Sequence, residues 1–291
     1  MSTSKSVDQI DITTTPFNLT ISKPTDITSS NTDGYLSIDK KLNHEPIKLA
    51  QQLQYNAKQN LLLAAAPETA FDQFSNALKL VHVAIGETIY SPGININHVY
   101  FPVSCVVSLH YVTESGASAE TASVGREGLV GVNVLMGADS TPSSATVLIA
   151  GYAYKLECQL LKRTFNQDII FQQLLLRYVQ VLFTQIAQTA VCNRHHTIEQ
   201  QLSRWLLLSV DRLSCNELTI TQEMVSGMLG VRRESITQAA SQLQRDGLIS
   251  YRRGHIAVLD HKGLQKHACE CYAVVQNELK RLLPPNLINT K

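Results

Sequence analysis

The chain has no excess of either charge. Its 25 Lys and Arg stand against 24 Asp and Glu over 291 residues, a formal net charge of +1. No global basic field marks a nucleic-acid binder, so an anionic partner must be drawn by a local patch. A long apolar run is also missing. Even Leu61-Leu62-Leu63-Ala64-Ala65-Ala66 stops at Pro67, well short of the ~18 residues that a membrane span requires. No positively charged, apolar leader opens the chain. The six cysteines, Cys105, Cys158, Cys192, Cys215, Cys269 and Cys271, are scattered rather than set in a framework, which reads as free thiols in a reducing compartment. A cytoplasmic protein with no membrane partner is expected. With 44% hydrophobic and 17% charged residues, a wholly disordered or collagen-like chain is excluded, and the length suits about two domains.

What is present falls into distinct textures. Residues 1 to 32 hold fourteen Ser or Thr without apolar periodicity, and are expected to be disordered. A helical spacing then runs through Leu49, Leu53, Ala57, Leu61 and Ala64 to Pro67, before a short helix carrying Phe71, Phe74 and Leu78. From Leu80 to about Leu161 the chain breaks into β-rich runs at Val81-His82-Val83, Val99-Tyr100-Phe101, Val106 to Val112 and Ala145 to Ile149. Turn signals at Gly86, Pro92-Gly93, Ser115-Gly116, Gly125, Gly137 and Pro142 recur every ~8–12 residues, as in an antiparallel sandwich or barrel. A small β-roll is the economical reading.

After Asp168 no Gly or Pro occurs until Gly227, and the pattern becomes a long helix. Leu176, Val179, Phe183, Ile186 and Ala190 form one seam, with Phe171, Leu175, Tyr178 and Leu182 as a second beside it. The apolar arc spans about 200°, where ~100° suffices to pack one face on a core. Two readings stay open: a helix buried within one domain, or one seam on the β-roll and the other on a second subunit. A further helix from Thr197 to about Leu213 presents Ile198, Leu202, Trp205, Leu206 and Ser209.

Residues 220 to 259 are the most informative. Thr221 can N-cap a short helix with Glu223 in its first turn, and Gly230 supplies the positive φ that ends it. Val225, Leu229, Val231, Ile236, Ala239 and Leu243 are spaced to pack two helices across that turn, with small Ser226 allowing close approach. This is the arrangement of a helix-turn-helix. The second helix exposes Arg233, Glu234, Thr237 and Gln238, with Arg232 and Ser235 at its start. Arg can donate twice to guanine, Glu can accept from cytosine and Gln can pair with adenine. Arg232 is a poor N-cap, which a phosphate bound at the helix end would explain. The hairpin from Leu248 to Leu259 carries Arg252, Arg253 and His255 at its tip, suited to phosphate contact. Between Arg232 and His255, five Arg face only Glu234 and Asp246, a local excess of +3. The DNA-contacting set is therefore Thr221, Arg232, Arg233, Glu234, Ser235, Thr237, Gln238, Arg252, Arg253 and His255.

The order of β-roll, long helix and winged helix-turn-helix resembles the Crp/Fnr superfamily of bacterial transcription regulators. The residues that carry the likeness are Arg233-Glu234-Ser235, Gly247-Leu248-Ile249, Gly86-Glu87-Thr88-Ile89-Tyr90, Val99-Tyr100-Phe101-Pro102 and Val107-Ser108-Leu109. The resemblance implies an α+β fold: a cyclic-nucleotide-binding-like antiparallel β-roll, a long dimerisation helix and a winged helix-turn-helix domain. It implies a homodimer on a pseudo-palindromic operator in double-stranded DNA, closed by the seam Leu176, Val179, Phe183, Ile186 and Ala190, with RNA polymerase as a further partner. The expected partition is an extension at 1–60, the β-roll at 61–167, the dimerisation helix at 168–196, the DNA-binding domain at 197–275 and a helix end with tail at 276–291.

Cyclic-nucleotide members of the family use a Gly-Glu pair and an Arg for ribose and phosphate. The counterparts here are Gly131-Val132 and Ser143-Ser144-Ala145, and loss of the charge-assisted bond, worth ~1.5–3 kcal/mol, argues against cyclic AMP or cyclic GMP. A cyclic-nucleotide regulator with an atypical pocket is the alternative, and the effector is left unidentified. Gly125-Arg126-Glu127-Gly128 reads as a turn-closing surface pair. No cysteine lies near the N-terminus to hold an iron–sulfur cluster, and His82, His98 and His110 single out no haem ligand. Cys192 with His195 and His196, and His267 with Cys269 and Cys271, each lack strong zinc spacing, so neither a metal site nor a cofactor is expected. An enzyme of the cupin type is disfavoured, because no His-x-His pair occurs between residues 80 and 165.

Overall fold

The computed structural model describes residues 55–213 and 215–283. The Ser/Thr-rich stretch 1–32 and the expected helical positions Leu49 and Leu53 lie outside the described residues. The helix expected to continue through Ala57, Leu61 and Ala64 is broken. A 3-10 turn at Ala57–Gln59 ends at Asn60, whose extended backbone starts a new helix, α1 (Leu61–Ala65). The Asn60 side-chain oxygen accepts from the Leu62 and Leu63 amides at 3.1 and 3.2 Å, and its amide nitrogen donates to the Pro102 and Gly128 carbonyls, both at 2.9 Å. One buried amide thus caps a helix and ties the lead-in to the β-roll. α2 (Glu68–Phe74) follows, and a 3-10 turn at Ser75–Ala77 leaves Leu78 just outside the short helix.

Seven strands build the roll: β1 (Lys79–Val83), β2 (Thr88–Tyr90), β3 (His98–Pro102), β4 (Val106–Val112), β5 (Ser118–Val124), β6 (Ser144–Ile149) and β7 (Gly151–Glu157). All pairings are antiparallel, in the orders β1-β7-β3 and β2-β6-β4-β5. Phe101 opposite Tyr154 and Leu109 opposite Ala145 set the register of the two sheets. Phe74, Phe101, Leu129, Leu156, Leu161, Phe171 and Leu175 fill the core between them and the flanking helices.

After α3 (Cys158–Gln167), Asp168 caps the long helix α4 (Ile169–His195) by accepting from the Ile170 and Phe171 amides at 3.0 and 2.9 Å. Phe171, Leu175, Tyr178 and Leu182 are buried against the roll, as their seam predicts. By length and composition α4 is apolar enough to cross a membrane, although polar residues interrupt its apolar run. Its buried seam and the Gln172, Gln173, Arg177, Gln180 and Gln188 beside it fit a helix packed on a protein core.

The remainder comprises α5 (Ile198–Val210), β8 (Glu217–Thr219), α6 (Gln222–Leu229), α7 (Arg233–Arg245), β9 (Ile249–Arg252), β10 (His255–Val258), α8 (His261–His267) and α9 (Glu270–Leu282). Thr197 and Gln200 form a capping box at the start of α5. The small sheet is ordered β8-β10-β9. Leu202, Trp205, Leu206, Leu218, Val225, Ile236, Leu243 and Ile256 form a second core, which Val106 and Leu148 of the roll join. β4 is therefore covered on both faces, and the two parts share one interface.

Asn60→Ala removes a cap and leaves two buried carbonyls without their donor, so it is expected to cost about 2–4 kcal/mol in denaturant unfolding. A loss within experimental error would show that the lead-in is not held by this amide.

Candidate nucleic-acid interface

The turn between α6 and α7 is built as its residues require. Thr221 accepts from the Met224 amide at 3.2 Å, and Gly230 sits at φ 65°. The Val231 amide returns to the Ser226 carbonyl at 3.1 Å. Val225, Leu229, Ile236, Ala239 and Leu243 are buried and Val231 is half-buried, so the opposite face of α7 is left to solvent. That face carries Arg233, Glu234, Thr237 and Gln238, all exposed, with Ser235 half-buried. The Thr237 hydroxyl donates to Gln222 at 2.8 Å, fixing the two helices side by side. Arg232 is the exposed N-cap residue of α7 and makes no side-chain capping bond.

The hairpin of β9 and β10 pairs Arg252 with His255 across its tip, and Arg252, Arg253 and His255 are all exposed. Among the described residues, none of Arg232, Arg233, Arg252 and Arg253 enters an ion pair. Four guanidinium groups on one helix start and one wing are thus available to an anion. On α4, Leu176, Phe183 and Ile186 are 48%, 57% and 37% exposed, Ala190 is exposed and Val179 half-buried.

The joint beneath this surface was not legible as such. Glu127 is no surface residue: it is 8% exposed and Arg212, beyond the end of α5, is 6% exposed. Arg212 Nε donates to Glu127 Oε1 at 2.6 Å, Nη1 to Ser123 Oγ at 2.9 Å and to the Leu208 carbonyl at 3.0 Å, and Nη2 to Gln185 Oε1 at 3.2 Å. The roll, α4 and α5 therefore share one buried guanidinium. A side chain at Gly125 would collide with Arg212, and one at Gly128 would collide with Tyr178. The two glycines of the Gly-Arg-Glu-Gly stretch permit close approach; the expected turn is present, closed by the Gly128 amide on the Gly125 carbonyl at 3.0 Å, but Glu127 is buried rather than on the surface. Nearby, Trp205 Nε1 donates to Glu120 Oε1 at 3.2 Å, joining α5 to β5. Burial pushes the Glu120 carboxyl above its ordinary range, with Ser108, Arg212, Trp205 and Arg204 opposing.

At the expected nucleotide-pocket positions, Val132 and Ser143 are buried, and Ser143 bonds Thr141 at 3.0 Å. A cleft of about 460 Å³ lies elsewhere, lined among others by Arg126, Tyr178, Arg212, Tyr272 and Lys280. The two cysteine groupings are not separate in space. The end of α4 meets the start of α9, so Cys192, His196, Cys269 and Cys271 converge, their ligand atoms all within 4.8 Å of one another. His195 and His267 stand apart from this group. The two groupings, each weak alone, form one constellation that can hold a metal.

With this geometry established, the comparisons are direct. Residues 200–267 match the Crp-like helix-turn-helix domain. The fold matches a Crp/Fnr-family transcriptional regulator from Eubacterium rectale (17% identity, 72% of this chain and 98% of that one, TM-score 0.57). It also matches FixK2 from Bradyrhizobium japonicum (16%, 66% and 98%, 0.56) and the c-di-GMP-responsive global regulator CLP from Xanthomonas campestris (14%, 67% and 100%, 0.52). No curated protein matches by sequence. Residues 200–267 are thus a Crp-like helix-turn-helix domain, and the fold over 66–72% of the chain is that of Crp/Fnr-family regulators, with the helix-turn-helix carried by an antiparallel β-roll.

The raised Glu120 pKa has a consequence for stability. A carboxyl with a higher pKa folded than unfolded contributes stability below its unfolded pKa and loses it as pH rises through the folded value. Glu120→Gln keeps an acceptor for Trp205 without the charge. It is expected to raise Tm at pH 8 relative to the parent chain and to give no gain at pH 4; a variant destabilised equally at both would refute the assignment.

Proposed function

We propose that the chain is a homodimeric, sequence-specific transcription regulator of the cytoplasm that reads a pseudo-palindromic operator. The observation that carries this reading is the exposed polar face of α7 beside a wing whose arginines enter no ion pair among the described residues. Arg233, Glu234, Thr237 and Gln238 supply base-reading groups, while Thr221, Arg232, Ser235, Arg252, Arg253 and His255 hold the DNA backbone. Replacing Arg233 with Ala should cost about 1–3 kcal/mol at one base pair and relax preference there, whereas Arg252→Ala should weaken all sequences alike. Competition binding against random DNA distinguishes them; equal losses on specific and random DNA for both variants would refute base reading by Arg233.

The dimer is supported by the division of α4 into a buried seam and a second one on which Leu176, Phe183, Ile186 and Ala190 are exposed and Val179 is half-buried. Pairing that seam with a second copy removes its apolar side chains from water. Phe183→Glu is therefore expected to shift the chain from dimer to monomer in sedimentation and to abolish tight operator binding. A dimer that persists unchanged would place the interface elsewhere. RNA polymerase is a further partner in this reading, and the boundaries at residues 60, 167, 196 and 275 are retained as functional divisions, although α9 runs through the last of them.

The effector reading is that the roll does not bind cyclic AMP. Val132 and the Thr141–Ser143 pair stand at the counterparts of the ribose acid and the phosphate cation, so neither position itself supplies a counter-charge to a cyclic phosphate. The alternative is a cyclic-nucleotide response through the cleft beside Arg126, Arg212 and Lys280. Calorimetry with cyclic AMP, cyclic GMP and cyclic di-GMP separates the two, since a submillimolar response favours the second.

A further inference from the structure

The end of the long helix and the start of the last one bring together four side chains that the DNA-reading function does not use. Cys192 lies in the last turn of α4 and His196 is its C-cap residue, one turn on. Cys269 is the N-cap residue of α9, and Cys271 lies two residues further. All three thiols are buried and none is in a disulfide. The sulfurs of Cys192 and Cys269 are 3.5 Å apart, Cys271 Sγ is 3.6 Å from His196 Nδ1, and no pair of the four ligand atoms exceeds 4.8 Å. For Zn–S near 2.3 Å and Zn–N near 2.0–2.1 Å, a tetrahedron has S–S edges of about 3.8 Å and S–N edges of about 3.5 Å. The S–N pair matches its edge, and the S–S pair is about 0.3 Å shorter than its own.

We propose that Cys192, His196, Cys269 and Cys271 form a Cys3His zinc site that fastens the C-terminal end of α4 to the N-terminal end of α9. Two features beyond the ligand set support it. His196 turns Nδ1 to the sulfurs and places Nε2 3.3 Å from Glu270 Oε1. This carboxylate would take the outer N–H and fix the tautomer that leaves Nδ1 free to ligate. Three thiolates, a neutral imidazole and Zn²⁺ carry a net charge of −1. Arg204, 5% exposed, acts electrostatically on both Cys192 and Cys271; its Nη2 donates to Thr189 at 2.9 Å, but its Nε has no hydrogen-bond partner among the described residues. A buried cation without enough acceptors is what an anionic metal centre would compensate.

The site is closed, with four protein ligands, which is the structural rather than the catalytic pattern. Binding displaces whatever protons the three thiols retain, so affinity falls with falling pH. Its position has a mechanical consequence. Gln201 of α5 donates to the His196 and Cys192 carbonyls at 2.9 and 3.4 Å, so the ion would clamp the short link where α4 passes into α5. The inference stands whether or not the chain reads DNA, because its test measures the metal itself.

The test is elemental analysis of the full chain, purified under reducing conditions from zinc-supplemented cells. One zinc per chain is expected. After chelation, Co²⁺ should restore the intense visible bands and the thiolate-to-metal absorption of a tetrahedral sulfur-rich site. The double variant Cys192→Ser, Cys271→Ser should lose the metal, while Cys215→Ser, whose thiol is exposed and outside the cluster, should retain it. Should the double variant fail to fold, zinc content and the cobalt spectrum of the unaltered chain decide. Overturning results are the absence of stoichiometric zinc together with no tetrahedral cobalt spectrum, metal retained in a folded double variant, an iron–sulfur absorption spectrum as isolated, or a Cys192–Cys269 disulfide in the reduced preparation.

Discussion

A guanidinium withdrawn from water must find compensation where it lies, and the structure around Arg212 is organised by that demand. Its acceptors come from the roll (Glu127 and Ser123), the long helix (Gln185) and the helix that leads into the reading domain (Leu208). Separating these parts would strand a buried charge, and breaking such a pair typically costs about 3–5 kcal/mol. The ion pair is thus weak evidence for extra stability and strong evidence for a fixed arrangement. Through it, the orientation of the recognition helix is referred to the axis of α4 and to the apolar seam on its outer side. Gly125 and Gly128 permit the arrangement by keeping side chains away from Arg212 and Tyr178.

The parts of the fold legible in the sequence are those specified locally. Thr221, Gly230 and the spacing from Val225 to Leu243 set the helix-turn-helix within one short segment, and the two seams of α4 separate by helical periodicity alone. Strands with apolar runs were legible too. Ser118–Val124 was not, because serine, threonine and glutamate separate its few apolar residues, and Gly151–Glu157 was not singled out although Tyr152, Ala153, Tyr154 and Leu156 make it mostly apolar. Asn60 defeats the helix reading for a different reason: a single side chain caps a new turn and binds two distant carbonyls, overriding the periodicity through Ala57, Leu61 and Ala64.

Long-range chemistry was the least legible. Arg212 and Glu127 are 85 residues apart, and Cys192 and Cys269 are 77 apart. Neither pairing has a spacing that sequence rules recognise. Gly-Arg-Glu-Gly did hold a usable signal, since paired glycines around a charge can mark close approach as well as a turn. The near-zero net charge is likewise resolved by position: the basic excess is local, on α7 and the wing, and a two-fold pair would present it twice.

The central claim is that this reading head works in symmetric pairs. It is tested most directly by selecting binding sites for the purified full-length chain from random double-stranded DNA and reading the enriched motif. The account predicts two inverted half-sites with centres about one helical turn, 10–10.5 base pairs, or a multiple of it apart. An enriched single half-site without an inverted partner, or no enrichment over random sequence, would contradict it.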